Sequence, residues 1–128
     1  MTVDKGLPVL IVDDYETMLR IVRNLLGQLG FTDVEQAADG RVALARPGER
    51  PRGLIITDWD MRPMTGLDFL REVRADPATR DTPFIMVTAE GRAAAAAEAE
   101  AAGASGCMAR PFTAATLGAK ISSVLAAP

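Results

Sequence analysis

The sequence contains no histidine, and this absence excludes several kinds of catalytic site. Nucleophilic sites of the Ser-His-Asp and Cys-His types need an imidazole as their base, and zinc sites usually take histidine or several cysteines. With Cys107 as the one cysteine, a zinc site is not expected. Lysine is also scarce, occurring only as Lys5 and Lys120, so a basic residue that supports a central site is expected to be an arginine.

Long apolar runs and an excess of positive charge are absent too. No run approaches the ~20 residues of a membrane-spanning helix, and the polar stretch 1–6 predicts no signal peptide. A single cysteine allows no internal disulfide, which fits a reducing cytoplasm. The net charge of −3 gives no electrostatic footprint for nucleic acid. We therefore expect one cytoplasmic domain over residues 1–128, without a membrane or nucleic-acid partner.

What the sequence does have is two pairs of aspartates, each directly after a short apolar run. The first pair is Asp13 and Asp14, and the second is Asp58 and Asp60. Apolar runs that end in carboxylates are typical of buried strands that deliver charge to the solvent edge of a sheet. Neighbouring carboxylates repel each other and take up protons, so such a cluster usually holds a cation. The pattern therefore predicts a metal-assisted phosphate site.

The periodicity of the chain predicts five strands that alternate with five helices. The predicted strands cover about 7–13, 34–37, 53–58, 84–88 and 105–109. The predicted helices cover about 18–29, 41–46, 66–75 and 91–102, followed by a last helix that Thr113 caps, and 47–53 is predicted to be a loop. This alternation predicts an open α/β sheet with helices on both faces. Such sheets bind ligands beyond the carboxyl ends of their strands, and the residues at or just after those ends are Asp13, Asp58, Thr88 and Arg110.

Some side chains can be assigned to the core or the surface in advance. Ile21 belongs to the apolar stripe of the first predicted helix, so it is expected to face inward. Met18, Met86 and Met108 are expected to fill the core. Trp59, next to Asp58, is expected to be a semi-exposed aromatic in a loop. The fourth predicted helix is almost entirely alanine and is expected to bury little.

Several motifs occur in an order that resembles a known family. They include Val12-Asp13-Asp14, Asp58-Trp59-Asp60-Met61, Met64-Thr65-Gly66, Val87-Thr88-Ala89-Glu90 and Pro111-Phe112-Thr113. This ordered set resembles the receiver domains of two-component response regulators, most closely those of the stand-alone chemotaxis (CheY-like) type, over essentially the whole chain. The resemblance implies a flavodoxin-like (βα)5 fold, with a doubly wound parallel sheet in the strand order 2-1-3-4-5 that is known for this family.

The resemblance also implies a metal-dependent phosphoacceptor. Asp58 would accept the phosphoryl group, and a divalent metal would neutralise charge, because a carboxylate is a poor nucleophile toward an anion. Asp14 and Asp58 would ligate Mg²⁺ together with the main-chain carbonyl of Asp60. Asp13 would reach the ion through water, as suits a cation that retains part of its hydration shell.

The implied signalling role involves two protein partners. The Thr88 hydroxyl and the Ala89 N–H would hold phosphoryl oxygens, with Arg110 as the nearby cation. Because the chain has no histidine, the phosphoryl group would come from a separate histidine kinase or a small donor such as acetyl phosphate. The domain would catalyse its own phosphorylation and slow hydrolysis without being an enzyme in the usual sense. Its output would be binding of a target protein by a monomer, through the face formed by the fourth helix, fifth strand and fifth helix.

Three residues depart from the family pattern. Arg110 replaces a lysine, and the planar, forked guanidinium is not equivalent to a compact ammonium. Cys107 stands where relatives of the CheY type carry an aromatic ring that swings inward, so a switch of that kind would need other elements. Asp60 replaces an asparagine and adds a negative charge. The resemblance further implies a cis peptide bond before Pro111, which would still aim Arg110 at the site.

Other interpretations of the same residues remain open. Departures at Arg110 and Cys107 would also suit a degenerate receiver that binds proteins independently of phosphorylation. A flavodoxin-like fold can bind a flavin or a nucleotide, although no glycine-rich phosphate loop follows Val12 or Thr57. Taken alone, the first aspartate pair could be a solvated helix start, and Thr88 a satisfied hydroxyl at a strand end.

Overall fold

Strands and helices alternate along the chain, as the periodicity predicts. The computed structural model describes residues 3–45, 53–89 and 93–126. The strands are β1 (Val9–Val12), β2 (Val34–Ala37), β3 (Leu54–Asp58), β4 (Phe84–Thr88) and β5 (Gly106–Ala109). The helices are α1 (Glu16–Gln28), α2 (Gly40–Leu44), α3 (Gly66–Ala75), α4 (Ala93–Ala101) and α5 (Ala114–Ala126).

In the part of the chain that the structure describes, all four strand pairings are parallel, and the strand order is β2-β1-β3-β4-β5. The predicted flavodoxin-like fold and its order are thereby confirmed. Residues of β1, β3 and β4 are buried throughout, because helices cover both faces of the central strands. Strands β2 and β5 lie at the edges and are partly exposed. The chain order reverses between β1 and β3, which makes their carboxyl ends the expected ligand crevice.

The sheet separates two apolar cores. Because side chains alternate across a strand, Val9 and Ile11 of β1 face one core while Leu10 and Val12 face the other. The first core lies against α1 and α5, and the second against α2, α3 and α4. The edge of the sheet at the strand ends is held from both sides by packed helices.

Local hydrogen bonds mark where several helices begin and end. The side chains of Asp39 and Thr65 accept hydrogen bonds from Val42 N and Asp68 N, at 2.9 and 3.1 Å, and so cap α2 and α3. The Thr113 hydroxyl accepts from Thr116 N at 3.2 Å, as predicted for the start of α5. None of the helices in the described parts of the chain has the length and apolar content that a membrane span needs.

The structure corrects three expectations about burial. Ile21 is 43 % exposed, because the inner face of α1 is formed by Leu19, Val22 and Leu26 and Ile21 lies to one side of it. Trp59 is buried, with 8 % of its surface exposed, in the core beneath α3. The alanine-rich helix also contributes to this core.

Ala95 and Ala99 of the alanine-rich helix α4 are buried, because small side chains let α4 approach the sheet closely. The predicted loop at 47–53 falls, apart from Gly53, outside the described residues, as do residues 91 and 92 of the predicted fourth helix. Met86 is fully buried, and Met18 and Met108 pack against the other core, as expected.

Gly66 controls how closely α3 approaches the end of β3. A Cβ atom at this position would lie 2.2 Å from the main-chain oxygen of Asp58 and 2.9 Å from Trp59 Cα. The Gly66 N–H donates to the Trp59 carbonyl at 2.9 Å, which joins the helix start to the loop after β3. Glycine is therefore required here for close approach rather than for an unusual backbone angle.

We predict that Gly66→Ala destabilises the fold by about 2 kcal/mol or more, because backbone atoms cannot yield to the added methyl group. Gly27→Ala in α1 is the matched control, since a Cβ there meets nothing within 4 Å. That variant should be as stable as the parent or up to about 1 kcal/mol more stable, by helix propensity. Urea unfolding measures both, and equal stability of the two variants would contradict this account of Gly66.

Candidate functional site

The register of the sheet brings Asp13 and Asp58 side by side. Val12 of β1 pairs with Thr57 of β3, so the residues that follow them end adjacent strands at the same level. Both aspartates are buried, with 7 % and 5 % of their surfaces exposed. Asp13 Oδ1 accepts a hydrogen bond from Tyr15 N at 3.0 Å, which orients this carboxylate at the start of α1.

The next two strands add Thr88 and Arg110 to the same edge. Asp58 pairs with Val87, and Thr88 therefore lies one residue beyond it on β4. Thr88 in turn pairs with Ala109, and the Arg110 N–H donates to the Thr88 carbonyl at 2.9 Å. Thr88 is buried, and Ala89, which follows it, is half-buried. The structure thus places Thr88 and Arg110 at the same edge of the sheet as Asp58, as the sequence predicts.

Arg110 makes the closest charge contact in the site. Its Nη1 lies 2.9 Å from Asp58 Oδ1, and its Nη2 lies 3.8 Å from Asp60 Oδ2. The contact with Asp58 is an ion pair rather than an aligned hydrogen bond, since within the described residues no donor is directed at the buried Oδ1. The peptide bond between Arg110 and Pro111 is cis, as the resemblance implies, and that between Arg62 and Pro63 is cis as well.

The two remaining aspartates lie at the rim of the site. Asp14 and Asp60 are both exposed. Asp14 Oδ2 accepts a hydrogen bond from Arg62 N at 3.2 Å, so the loop after β3 reaches across to the loop after β1. The site thus has a buried pair of carboxylates below, an exposed pair above, and one guanidinium at the side.

Comparison with known proteins agrees with this geometry. Residues 9–122 match the response regulator receiver domain. The chain is 42 % identical over 121 residues to chemotaxis protein CheY-3 of Vibrio cholerae, covering 94 % of this chain and 93 % of that one. It is 46 % identical over 116 residues to chemotaxis protein CheY of Pseudomonas aeruginosa, covering 91 % and 94 %.

The chain belongs to the response regulator receiver family. Among solved structures, it resembles chemotaxis response regulator CheY4 of Vibrio cholerae with a TM-score of 0.85 and 37 % identity, over 94 % of this chain and 99 % of that one. A putative response regulator from Chloroflexus aurantiacus gives a TM-score of 0.89 at 30 % identity, over 95 % and 99 %. The receiver is therefore of the CheY type, and its family places it in two-component signalling.

Burial and neighbouring negative charge raise the pKa of each of the receiver's two central carboxylates. Burial, followed by the charge of Asp13, raises the pKa of Asp58 from 3.8 to about 7, against the opposing effect of Arg110. Asp60 and Asp14 raise it further by smaller amounts. Burial likewise raises the pKa of Asp13, although the Tyr15 N–H opposes the shift. A cation near the buried pair would stabilise their ionised forms.

The donor chemistry of the site suits Mg²⁺, although the side chains do not form a finished coordination sphere. Aspartate oxygens are the hard ligands this ion prefers, and the unsatisfied Oδ1 of Asp58 is a buried acceptor. Across residues 3–45, 53–89 and 93–126, however, no three acidic, cysteine or histidine side chains are close enough together to hold a metal. The assignment of Mg²⁺ to Asp13, Asp14, Asp58 and Asp60 stays a prediction.

Cys107 contacts the site in a way that its sequence position did not reveal. Burial raises the pKa of the Cys107 thiol, while a hydrogen bond with the Thr88 side chain and the charge of Lys120 oppose the rise. Cys107 is half-buried, and it pairs with Met86 of β4, two residues before Thr88. The sequence indicated only that the aromatic ring of the family is missing, because a contact across two strands depends on register.

The pKa of Asp58 predicts how stability depends on pH without metal. Because the pKa of Asp58 is higher in the folded state than in the unfolded chain, its protonation stabilises the fold. This stabilisation is fully present below pH 4 and is lost as the pH rises through about 7. Residue 58 cannot ionise in Asp58→Asn, so this variant should not lose stability with the parent as the pH rises. Its free energy of unfolding relative to the parent should therefore increase by roughly 2 kcal/mol from pH 5 to pH 8. Urea unfolding in EDTA at both pH values measures this, with the exposed Asp68→Asn as control. A difference from the parent that is the same at both pH values would contradict the burial argument.

Proposed function

We propose that this receiver accepts a phosphoryl group on Asp58 and signals by changing its affinity for a protein target. The observation that carries the proposal is the state of Asp58 itself. Its carboxylate ends the central strand β3, is buried next to Asp13, and has an Oδ1 that lies 2.9 Å from a cation without an aligned hydrogen bond. A structural carboxylate at such a position would be expected to have its hydrogen bonds satisfied.

The proposed reaction is a direct displacement at phosphorus. An Asp58 carboxylate oxygen attacks the phosphorus atom, the bond to the leaving group breaks, and that group departs with the electron pair. The leaving group is a histidine nitrogen of a separate kinase or the acetate of acetyl phosphate. Attack of water on the same phosphorus later returns the Asp58 carboxylate and inorganic phosphate. This self-catalysed cycle needs no histidine in the chain.

The surrounding residues would stabilise charge on the transferred group. Thr88 and the Ala89 N–H lie directly after β4 and would donate to phosphoryl oxygens. Arg110 can contact two phosphoryl oxygens with separate nitrogens of its planar fork. Its guanidinium is already beside Asp58, which supports this role.

Mg²⁺ would be held by Asp14, Asp58 and the main-chain carbonyl of Asp60, with Asp13 reaching it through water. When bound, the ion would supply the charge neutralisation that lets a carboxylate react with an anionic phosphoryl group. The raised pKa of Asp58 supports a cation requirement, because a protonated carboxyl is not a nucleophile. The same dependence would make phosphorylation sensitive to chelators.

The biological setting is proposed from the relatives. Similarity to proteins named for chemotaxis supports a role in a chemotaxis-type pathway. We propose that the receiver acts there as a cytoplasmic monomer, with a histidine kinase as donor. The target would bind the face formed by α4, β5 and α5. On our proposal, residues 1–128 act as a single receiver domain.

A second candidate is a receiver that binds its partner without phosphorylation. One observation favours it: Arg110 already neutralises part of the charge on Asp58, as a bound cation would. Such a module would keep its partner affinity when Asp58 is changed to alanine. The phosphorylatable receiver would not.

We predict that the parent protein takes up one phosphoryl label per chain from acetyl phosphate with Mg²⁺, and that EDTA prevents it. Asp58→Asn should remain unlabelled, because the amide nitrogen does not replace the nucleophilic oxygen. Asp68→Asn, which removes an exposed carboxylate on α3, should be labelled like the parent. Equal labelling of the parent and Asp58→Asn, or none of either, would refute phosphorylation at this site.

A further inference from the structure

One guanidinium serves two carboxylates in this site. Arg110 Nη1 lies 2.9 Å from Asp58 Oδ1, and its Nη2 lies 3.8 Å from Asp60 Oδ2. The two acceptors differ in environment, since the Asp58 side chain is 4 % exposed and the Asp60 side chain is 50 % exposed. A planar fork can contact an inner and an outer acceptor at once, whereas an ammonium acts as a point charge.

The backbone holds the partners in place, while the arginine side chain is the adjustable part. Trp59 N donates to Val87 O at 2.9 Å and Met61 N donates to Trp59 O at 3.1 Å, so the loop that carries Asp60 is tied to β4 and to itself. The backbone of Arg110 is tied to Thr88. The Arg110 side chain is long and its 2.9 Å contact with Asp58 is not an aligned hydrogen bond, so this contact alone leaves room for a second contact, with Asp60, to fix its orientation.

We propose that Asp60 is a positioning residue: it holds the outer Nη2 of Arg110 so that the inner Nη1 faces Asp58. The Asp60 side chain thereby aims the guanidinium at the place where a phosphoryl group on Asp58 would develop charge. The positioning of Arg110 stands on the present geometry, and its effect on phosphoryl transfer rests on the proposed function. Asp60 and Arg110, two of the three residues that depart from the pattern of the resemblance, act as a pair.

Asp60 also has a direct effect that must be separated from positioning. Its negative charge repels an anionic phosphoryl donor whatever the residue at position 110. Removing that charge would speed phosphorylation, whereas loss of positioning would slow it. Positioning through a partly exposed ion pair amounts to roughly a two- to fivefold effect. Only the part that depends on Arg110 reports positioning, so the two residues must be varied together.

The first test observes the guanidinium without any phosphorylation. In protein labelled with ¹⁵N-arginine, rotation about the Nε–Cζ bond of Arg110 is measured by NMR. Asp60→Asn should speed this rotation at least twofold, because the charge that attracts the outer nitrogen is lost. Asp68→Asn is the matched control, since it breaks another exposed pair, 3.7 Å from Arg71, and should leave Arg110 unchanged. Unchanged rotation in Asp60→Asn would overturn the proposal.

The second test is a double-mutant cycle on the rate of phosphorylation by acetyl phosphate. The four proteins are the parent, Asp60→Asn, Arg110→Gln and the double variant, each checked for folding by thermal unfolding. We expect Asp60→Asn to speed the reaction two- to fivefold more in the Arg110→Gln background than in the parent. Additive effects, or coupling of the opposite sign, would overturn the functional part. A parent that takes up no label refutes the proposed function instead, and the NMR measurement still decides the positioning of Arg110.

Discussion

A carboxylate buried next to a second carboxylate is the constraint on which the rest of this structure depends. Asp58 and Asp13 lie side by side because β1 and β3 are adjacent and parallel and end at the same level. Burial and repulsion together favour protonation, and Arg110 only partly opposes this. A further cation would therefore reduce the electrostatic repulsion between the two buried carboxylates. This incomplete compensation is the physical basis of the metal dependence that we propose.

The fold makes that arrangement possible by supporting it from outside the site. Two apolar cores fix the central strands from both faces, so their ends cannot separate to relieve the repulsion. Gly66 lets α3 pack against the main chain of Asp58, which leaves the side chain as the part directed into the crevice. The apolar cores thus supply the stability of the fold. The residues at the strand ends need not contribute to it and can be carboxylates that serve a chemical function. This division is common at functional sites of α/β sheets.

Much of the fold could be predicted from local patterns. The bounds of β2, α3 and β4 agree with those read from the sequence, because alternation, caps and glycine mark them clearly. Ile21 and Trp59 were misassigned, since the facing of a wide apolar stripe and the path of a loop depend on tertiary packing. The buried alanines of α4 escaped notice for the same reason. Because α4 is almost entirely alanine, its sequence has no amphipathic period that would indicate which face is buried.

The site was predictable as a set of residues but not as a set of contacts. Strand ends in a parallel sheet meet at one edge, so Asp13, Asp58, Thr88 and Arg110 could be grouped in advance. The sharing of Arg110 with Asp60, and the contact of Cys107 with Thr88, depend on register and on side-chain reach. These two contacts involve Asp60, Cys107 and Arg110, the three residues that depart from the pattern expected from the resemblance. Any special property of this receiver is expected to arise there.

The central claim is that the Asp58 carboxylate itself becomes an acyl phosphate. Its most direct test is to treat the protein with acetyl phosphate and Mg²⁺, reduce it with borohydride, and map the product by mass spectrometry. Borohydride converts an aspartyl phosphate to homoserine, so the account predicts homoserine at position 58 and at no other aspartate. Homoserine at Asp13, Asp14 or Asp60, or an unmodified chain, would contradict it.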